Sequence, residues 1–158
     1  MHAARMETLK KFLSDLKNDL PDFEGADFSD INWCTREGRN ALHVAVMGNR
    51  YDMAKALIEE GIKVNARGDM GHTPLHDAVA AADMDLIKLL VESGADVHAL
   101  TEGEPAFSLA RRFKREDICE YLGEVMKTAQ REDPTVWAKA QIAYLKREIM
   151  RIEKQYGV

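Results

Sequence analysis

The stretch Gly71–Val97 reads GHTPLHDAVAAADMDLIKLLVESGADV, and it decides the architecture. Thr73-Pro74 opens a helix, because proline at the first helical position lacks only an N–H that would go unpaired there. Ala78, Val79, Ala80 and Ala81 follow, small and apolar, so a neighbouring backbone can come close. Asp83 is placed to cap a second helix. Met84, Leu86, Ile87, Leu89, Leu90 and Val91 give that helix a wide apolar stripe. Gly94 supplies a left-handed stop. Two short helices and a turn cannot bury such a stripe alone, so the stretch predicts stacked neighbours of its own kind.

The neighbours are there. Shifted by 33, Gly38-Arg39-Asn40-Ala41-Leu42-His43-Val44-Ala45 falls on Gly71-His72-Thr73-Pro74-Leu75-His76-Asp77-Ala78. Leu57 falls on Leu90, Gly61 on Gly94, Val64 on Val97 and Ala66 on Ala99. A further shift of 32 aligns Gly103–Ala110, and Leu122 then matches Leu90. Upstream, Ile31-Asn32-Trp33 aligns with Val64-Asn65-Ala66, a partial copy.

The Thr-Pro-Leu-His76 run, the Leu89-Leu90 pair and Gly94-Ala-Asp-Val97 resemble the ankyrin repeat, as do Ala41-Leu42-His43 and Gly61–Asn65. The resemblance covers roughly residues 31–126. It implies an all-α solenoid of about three repeats plus a partial one. Asn40 replaces the usual Thr, and Ser108 the usual His. Asn49, Ala82 and Lys114 stand where the family has glycine. Asn tolerates a left-handed backbone, whereas Ala and Lys are strained there by about 1 kcal/mol. The third copy diverges most, as a terminal capping repeat should.

Residues 1–30 read as a capping helix and loop. Met6, Leu9, Leu13, Leu16 and Leu20 recur at helical spacing beside Phe12, predicting about 15 helical residues. The polar face carries both Lys and Asp, unlike the basic face of a membrane-surface helix. Residues 127–158 form the third segment. The chain totals 22 basic and 27 acidic side chains, but this segment holds 7 against 4. The sign change near Met126 predicts a separate element. Asp133 is read as its N-cap and Pro134 as its first helical residue. Ala138, Ile142, Leu145, Ile149, Ile152 and Tyr156 recur at 4, 3, 4, 3 and 4 over a helix of about 23 residues. Val136, Trp137, Ala140, Ala143 and Tyr144 widen the stripe. The helix either folds back as a C-terminal cap or serves as a dimer arm.

Composition bounds the function. Apolar residues make up 46% and the net charge is −5, which argues against a nucleic-acid binder. No apolar run approaches the length of a membrane span, and Met1–Lys11 lacks a signal-peptide core. Two cysteines, Cys34 and Cys119, suit a reducing cytoplasm better than a disulfide framework.

Candidate chemistry is thin. His43 and His76 occupy one repeat position, where the family's His bonds local and neighbouring backbone. His72 and His76 have metal-ligand spacing, but Pro74 between them puts His72 outside the helix, and no Cys or carboxylate cluster completes a site. His98 stands where the repeat usually has Asn. No phosphate loop or nucleophile elbow is present. Cys119 reads as a core thiol and Cys34 as an exposed one. No catalytic residue, metal or cofactor is therefore expected.

What remains is surface. The resemblance puts binding on finger tips and the exposed side of the inner helices. Those positions are Arg36, Glu37, Arg39, Met47, Asp69, Met70, His72, Ala80, Ala81, Thr101, Glu102, Glu104, Arg112 and Phe113. Trp33 joins Met47, Met70 and Phe113 as a large apolar group expected to face solvent. Aromatic, Met and Arg residues are the composition of interface hot spots. The expected function is non-catalytic binding of another protein, as a cytoplasmic adaptor or stoichiometric inhibitor such as a toxin-neutralising immunity protein. The alternative is an assembly subunit dimerising through residues 134–156.

Overall fold

The computed structural model describes residues 2–157. The chain forms two compact units, Met1–Ala95 and Asp96–Val158.

In the first unit, α1 (His2–Asp19) is followed by a 3-10 turn at Pro21–Phe23 and then two helix pairs. These are α2 (Ala41–Met47) with α3 (Tyr51–Glu59), and α4 (Pro74–Ala81) with α5 (Met84–Glu92). The inner helices α2 and α4 pack on each other, and so do the outer helices α3 and α5. The core is the repeated apolar set: Leu42 with Leu75, Leu57 with Leu90, and Ala45 with Ala78, all essentially sealed from solvent.

Local chemistry sets the helix ends. Thr73 is the N-cap of α4 with Pro74 inside it, and Asp83 accepts from the Leu86 N–H at 3.0 Å to cap α5. Asn49 and Ala82 adopt left-handed φ of 50° and 57°, where the glycine-preferring turn was read. One glycine is obligatory: at Gly38, φ is +89° and an added Cβ would sit 2.1 Å from the Arg67 carbonyl oxygen.

Polar side chains tie one repeat to the next. Asn32 Oδ1 accepts from the Lys63 N–H at 2.7 Å, and Asn65 Nδ2 donates to the Gly94 carbonyl at 2.9 Å. The two Asn occupy equivalent repeat positions, so one contact site recurs along the stack. The N-terminal helix packs on α3, with Leu9, Phe12, Leu13 and Leu16 buried. Arg5 pairs with Glu59, and the Arg50 guanidinium lies 5.2 Å from the Phe12 ring centre.

The second unit opens with a hairpin of β1 (Leu100–Thr101) and β2 (Glu104–Pro105). Glu102 and Gly103 between them both have positive φ, the two-residue turn that matches strand twist. Then come α6 (Ala106–Arg112), α7 (Glu116–Glu132) and α8 (Val136–Tyr156). Leu122 is buried on α7, and Lys114 has the left-handed φ of 56° expected of it. The boundary read after Met126 falls inside α7, because that helix continues to Glu132 and buries Met126.

Asp133 and Trp33 depart from the sequence expectation. Asp133 is not the N-cap of the last helix. It ends α7, while its carboxylate accepts from the Thr135 N–H and hydroxyl at 2.9 and 2.6 Å and from Lys139 Nζ at 2.5 Å. These bonds hold the carboxyl down at about 2, so the turn is ionised throughout the neutral range. The last helix accordingly has 21 residues rather than about 23.

The two apolar sets of α8 have different surroundings. The helix lies on its own hairpin through the secondary set. Trp137 meets the His98 ring edge-on at 4.8 Å, Arg147 donates to the Leu100 carbonyl at 2.8 Å, and Tyr144 lies over Gly103. Ala140 is its one buried residue. The regular stripe of Ile142, Leu145, Ile149, Ile152 and Tyr156 points away, each residue 48–69% exposed.

Trp33 is half-buried rather than solvent-facing. It packs against Phe23 at 5.6 Å and Phe28 at 6.0 Å. Both partners lie upstream of the partial repeat, where the periodicity gives no register.

Candidate functional site

Five of the surface residues read from the sequence come together in the first unit. Arg39, Met47, Asp69, Met70 and His72 line an open hollow of about 220 Å³, with His43, Gly68 and Asp77 completing it. One finger and two inner helices build it. The finger that ends in a 3-10 turn at Asp69–Gly71 carries Met70 at its tip with φ of 54°, and the inner helices supply Met47 and Asp77. Gly68 belongs where it is, since an added Cβ would lie 3.0 Å from Arg39 Cγ and 3.2 Å from His43 Nε2.

The lining is polarised. Arg39 holds one side, its guanidinium 3.4 Å from the Asp22 carboxylate and 3.6 Å from Met47 Sδ. Asp77 holds the other, 3.6 Å from His72 Nδ1. Met47 and Met70 between them are more than half exposed, so two flexible thioethers stand in solvent next to fixed charges. Asp22 and Asp77 are not among the residues expected from the sequence, and His43 was expected only as a structural histidine. Asp77 did leave a signal: it stands where the first repeat has Val44, a carboxylate in an apolar slot.

The histidines under the hollow are structural. Asn40 and His43 cap each other, the Asn40 N–H reaching His43 Nδ1 at 3.2 Å. Thr73 and His76 repeat the device, with the hydroxyl 2.8 Å from Nδ1. His43 Nε2 then meets the His72 carbonyl at 3.2 Å, locking helix to finger. Burial lowers the His43 pKa below the usual value, against the opposing pull of Asp77 and the His72 backbone bond. His72 lies outside α4, as the intervening proline requires. Among the described residues no group of three His, Cys, Asp or Glu is placed to hold a metal, and no helix is long and apolar enough to cross a membrane. Cys34 is exposed, and Cys119 is half-buried rather than fully in the core.

The remaining residues of the expected site distribute as follows. Arg36 and Glu37 are exposed on the first finger, and Ala80 and Ala81 on the end of α4. In the second unit Glu102 and Glu104 are exposed on the hairpin. Arg112 pairs with Glu104 at 3.3 Å and stands 6.0 Å from the Phe113 ring, itself 48% exposed. Thr101 is the exception. Paired with Glu104 across the hairpin, it turns inward and is 8% exposed, so it has no outward face to offer.

The stacked helix pairs, the fingers and the capping Thr/Asn–His pairs define a class, the helical-repeat binding scaffolds. A family model described as ankyrin repeats, in three copies, matches residues 1–101, and the chain belongs to that family. The third helix pair, α6 and α7, lies beyond the matched residues. A comparison with curated proteins found no match. Ankyrin repeats are protein–protein interaction modules, and the fold is an all-α ankyrin solenoid.

Proposed function

We propose that the chain is a non-catalytic cytoplasmic adaptor or stoichiometric inhibitor whose partner docks on the fingers and inner helices of the first unit. The observation that carries this is the hollow itself: exposed Met47 and Met70 between Arg39 and Asp77. It offers an adaptable apolar floor with charges of both signs at its edges, the mixture from which interface anchors are drawn. Neutralisation of a toxin, as by an immunity protein, is the form of inhibition that suits a small acidic chain with an ankyrin scaffold, by analogy of fold.

A pull-down from the native host identifies the partner, and titration calorimetry then tests the site. Met70→Ala or Arg39→Ala should weaken binding by about 1–2 kcal/mol. Lys88→Ala on the outer helix should do little. Loss of binding in Lys88→Ala alone would move the interface to the convex side.

A second reading has its own observation. The uncovered stripe on α8 supports an assembly role in which residues 134–156 bring two copies together.

A further inference from the structure

Deepening that second reading, and resting on it, we infer that the α8 stripe takes a second copy of this chain, with the two α8 helices antiparallel and centred near Arg147. The opposite side of the helix is already occupied. Trp137, Ala140, Tyr144 and Arg147 face the hairpin of their own unit. Beyond Glu148 every residue from Ile149 to Gly157 is exposed. Eight residues of helix, Ile149 to Tyr156, are marginal alone in water without packing.

The exposed area suits a helix partner. Five large apolar side chains, each about half exposed or more, present on the order of 500 Å² as one stripe, the size of the largest apolar patch on a typical monomer, which is often a functional surface. Pairing two copies would remove on the order of 1,000 Å² in total, the threshold of a specific interface. The 4, 3, 4, 3, 4 spacing is that of a two-helix seam.

Three features select the antiparallel arrangement. The first is side-chain size. Antiparallel pairing sets Ile142 against the partner's Ile152, Leu145 against the partner's Ile149, and small Ala138 against the partner's Tyr156. Parallel pairing stacks Ala138 on itself and Tyr156 on itself, leaving a void at one end and crowding at the other. The second is charge. Lys139, Lys146 and Glu153 flank the seam on one side, Glu148 on the other, and Lys139 also pairs with Asp133 of its own chain. Antiparallel pairing brings Lys139 beside the partner's Glu153 twice, against one close approach of Lys146 to its own copy and one of Glu148. Parallel pairing brings Glu148 beside the partner's Glu153 twice and forms no opposite pair. The third is support. Antiparallel pairing lays the uncovered end of each helix on the half of the other that its own hairpin holds in place.

Sedimentation velocity of the full chain across micromolar concentrations should show a monomer–dimer equilibrium. Ile149→Asp should raise its dissociation constant about tenfold or more while leaving the circular dichroism spectrum unchanged. A chain that stays monomeric at several hundred micromolar overturns self-association through α8 altogether. So does a dimer indifferent to Ile149→Asp. Register is read by disulfide trapping in a Cys34→Ser, Cys119→Ser background, mixing chains that carry Ala138→Cys with chains that carry Tyr156→Cys. Antiparallel pairing gives the mixed disulfide, because like positions then lie about 27 Å apart. Like-with-like disulfides from a confirmed dimer overturn the antiparallel arrangement and leave the second reading standing.

Discussion

Helices α5 and α8 make the same promise in sequence and keep it differently. Each carries an apolar stripe at helical spacing, begins after a short turn and ends near a glycine. In α5 the stripe is the core: Leu86, Ile87 and Leu90 are fully buried. In α8 the more regular stripe is the exposed one, and the helix is held by Trp137, Ala140, Tyr144 and Arg147 on the other side. Periodicity thus says which residues would profit from burial. It does not say whether a neighbour exists to bury them. For α5 the repeat supplies that neighbour, because α3 carries a matching stripe and packs against it. For α8 the repeat ends before the helix begins.

The sharpest test of this contrast is Leu90→Ala. It should cost about 2–5 kcal/mol by denaturant unfolding, the usual range for emptying a sealed leucine site. A loss under about 0.5 kcal/mol would mean the stripe of α5 is not the core. Next comes acid. His43 in the first unit and His98 in the second are both buried, and burial lowers the pKa of each. The unfolded chain, with ordinary histidines near 6.5, therefore takes up protons first as pH falls. Stability is fully present above that value and declines below it, by up to about 1.4 kcal/mol per pH unit for each histidine until its folded pKa is reached. His98→Asn should make the slope in equilibrium unfolding shallower just below pH 6.5.

Smaller effects separate the two sides of α8. Trp137→Ala removes the edge-on contact with His98 and should cost about 1–2 kcal/mol, less than a sealed aromatic because Trp137 is half-buried. Ala82→Gly should raise stability by about 0.5–1 kcal/mol, since it relieves the left-handed strain at φ of 57°. Ile149→Ala, measured in the dilute monomer, should stay within about 0.5 kcal/mol. A larger loss there would mean that the stripe is covered within the single chain.

The sequence was most legible where a residue's job is local or repeated. Thr73, Pro74 and Asp83 act on backbone groups within three residues of themselves, so their caps could be read directly. Asn49, Ala82 and Lys114 took left-handed backbone because the turn after each inner helix demands it, whatever the side chain. Legibility failed where a contact is not set by the repeat. Trp33 found Phe23 and Phe28 by tertiary packing, and Thr101 turned inward because a hairpin formed around Glu102-Gly103. Asp133 has the residue type of a cap, but its carboxylate serves the turn between two helices.

The candidate site divides along the same line. Arg39, Met47, Asp69, Met70 and His72 could be placed on one surface by repeat register alone, because equivalent positions of stacked units must line up. Their chemistry needed coordinates. Only three dimensions bring Asp22 to Arg39 and Asp77 to His72, contacts that polarise the hollow. Sequence by itself determined the repeat and its buried stripe, since both follow from short-range spacing multiplied by stacking, and the resemblance to the family implied the role of His43 and His76. Tertiary structure decided which face of α8 is spent on its own unit and which is left in water. The helix carries two apolar sets, and only the shape of the surface it lands on chooses between them.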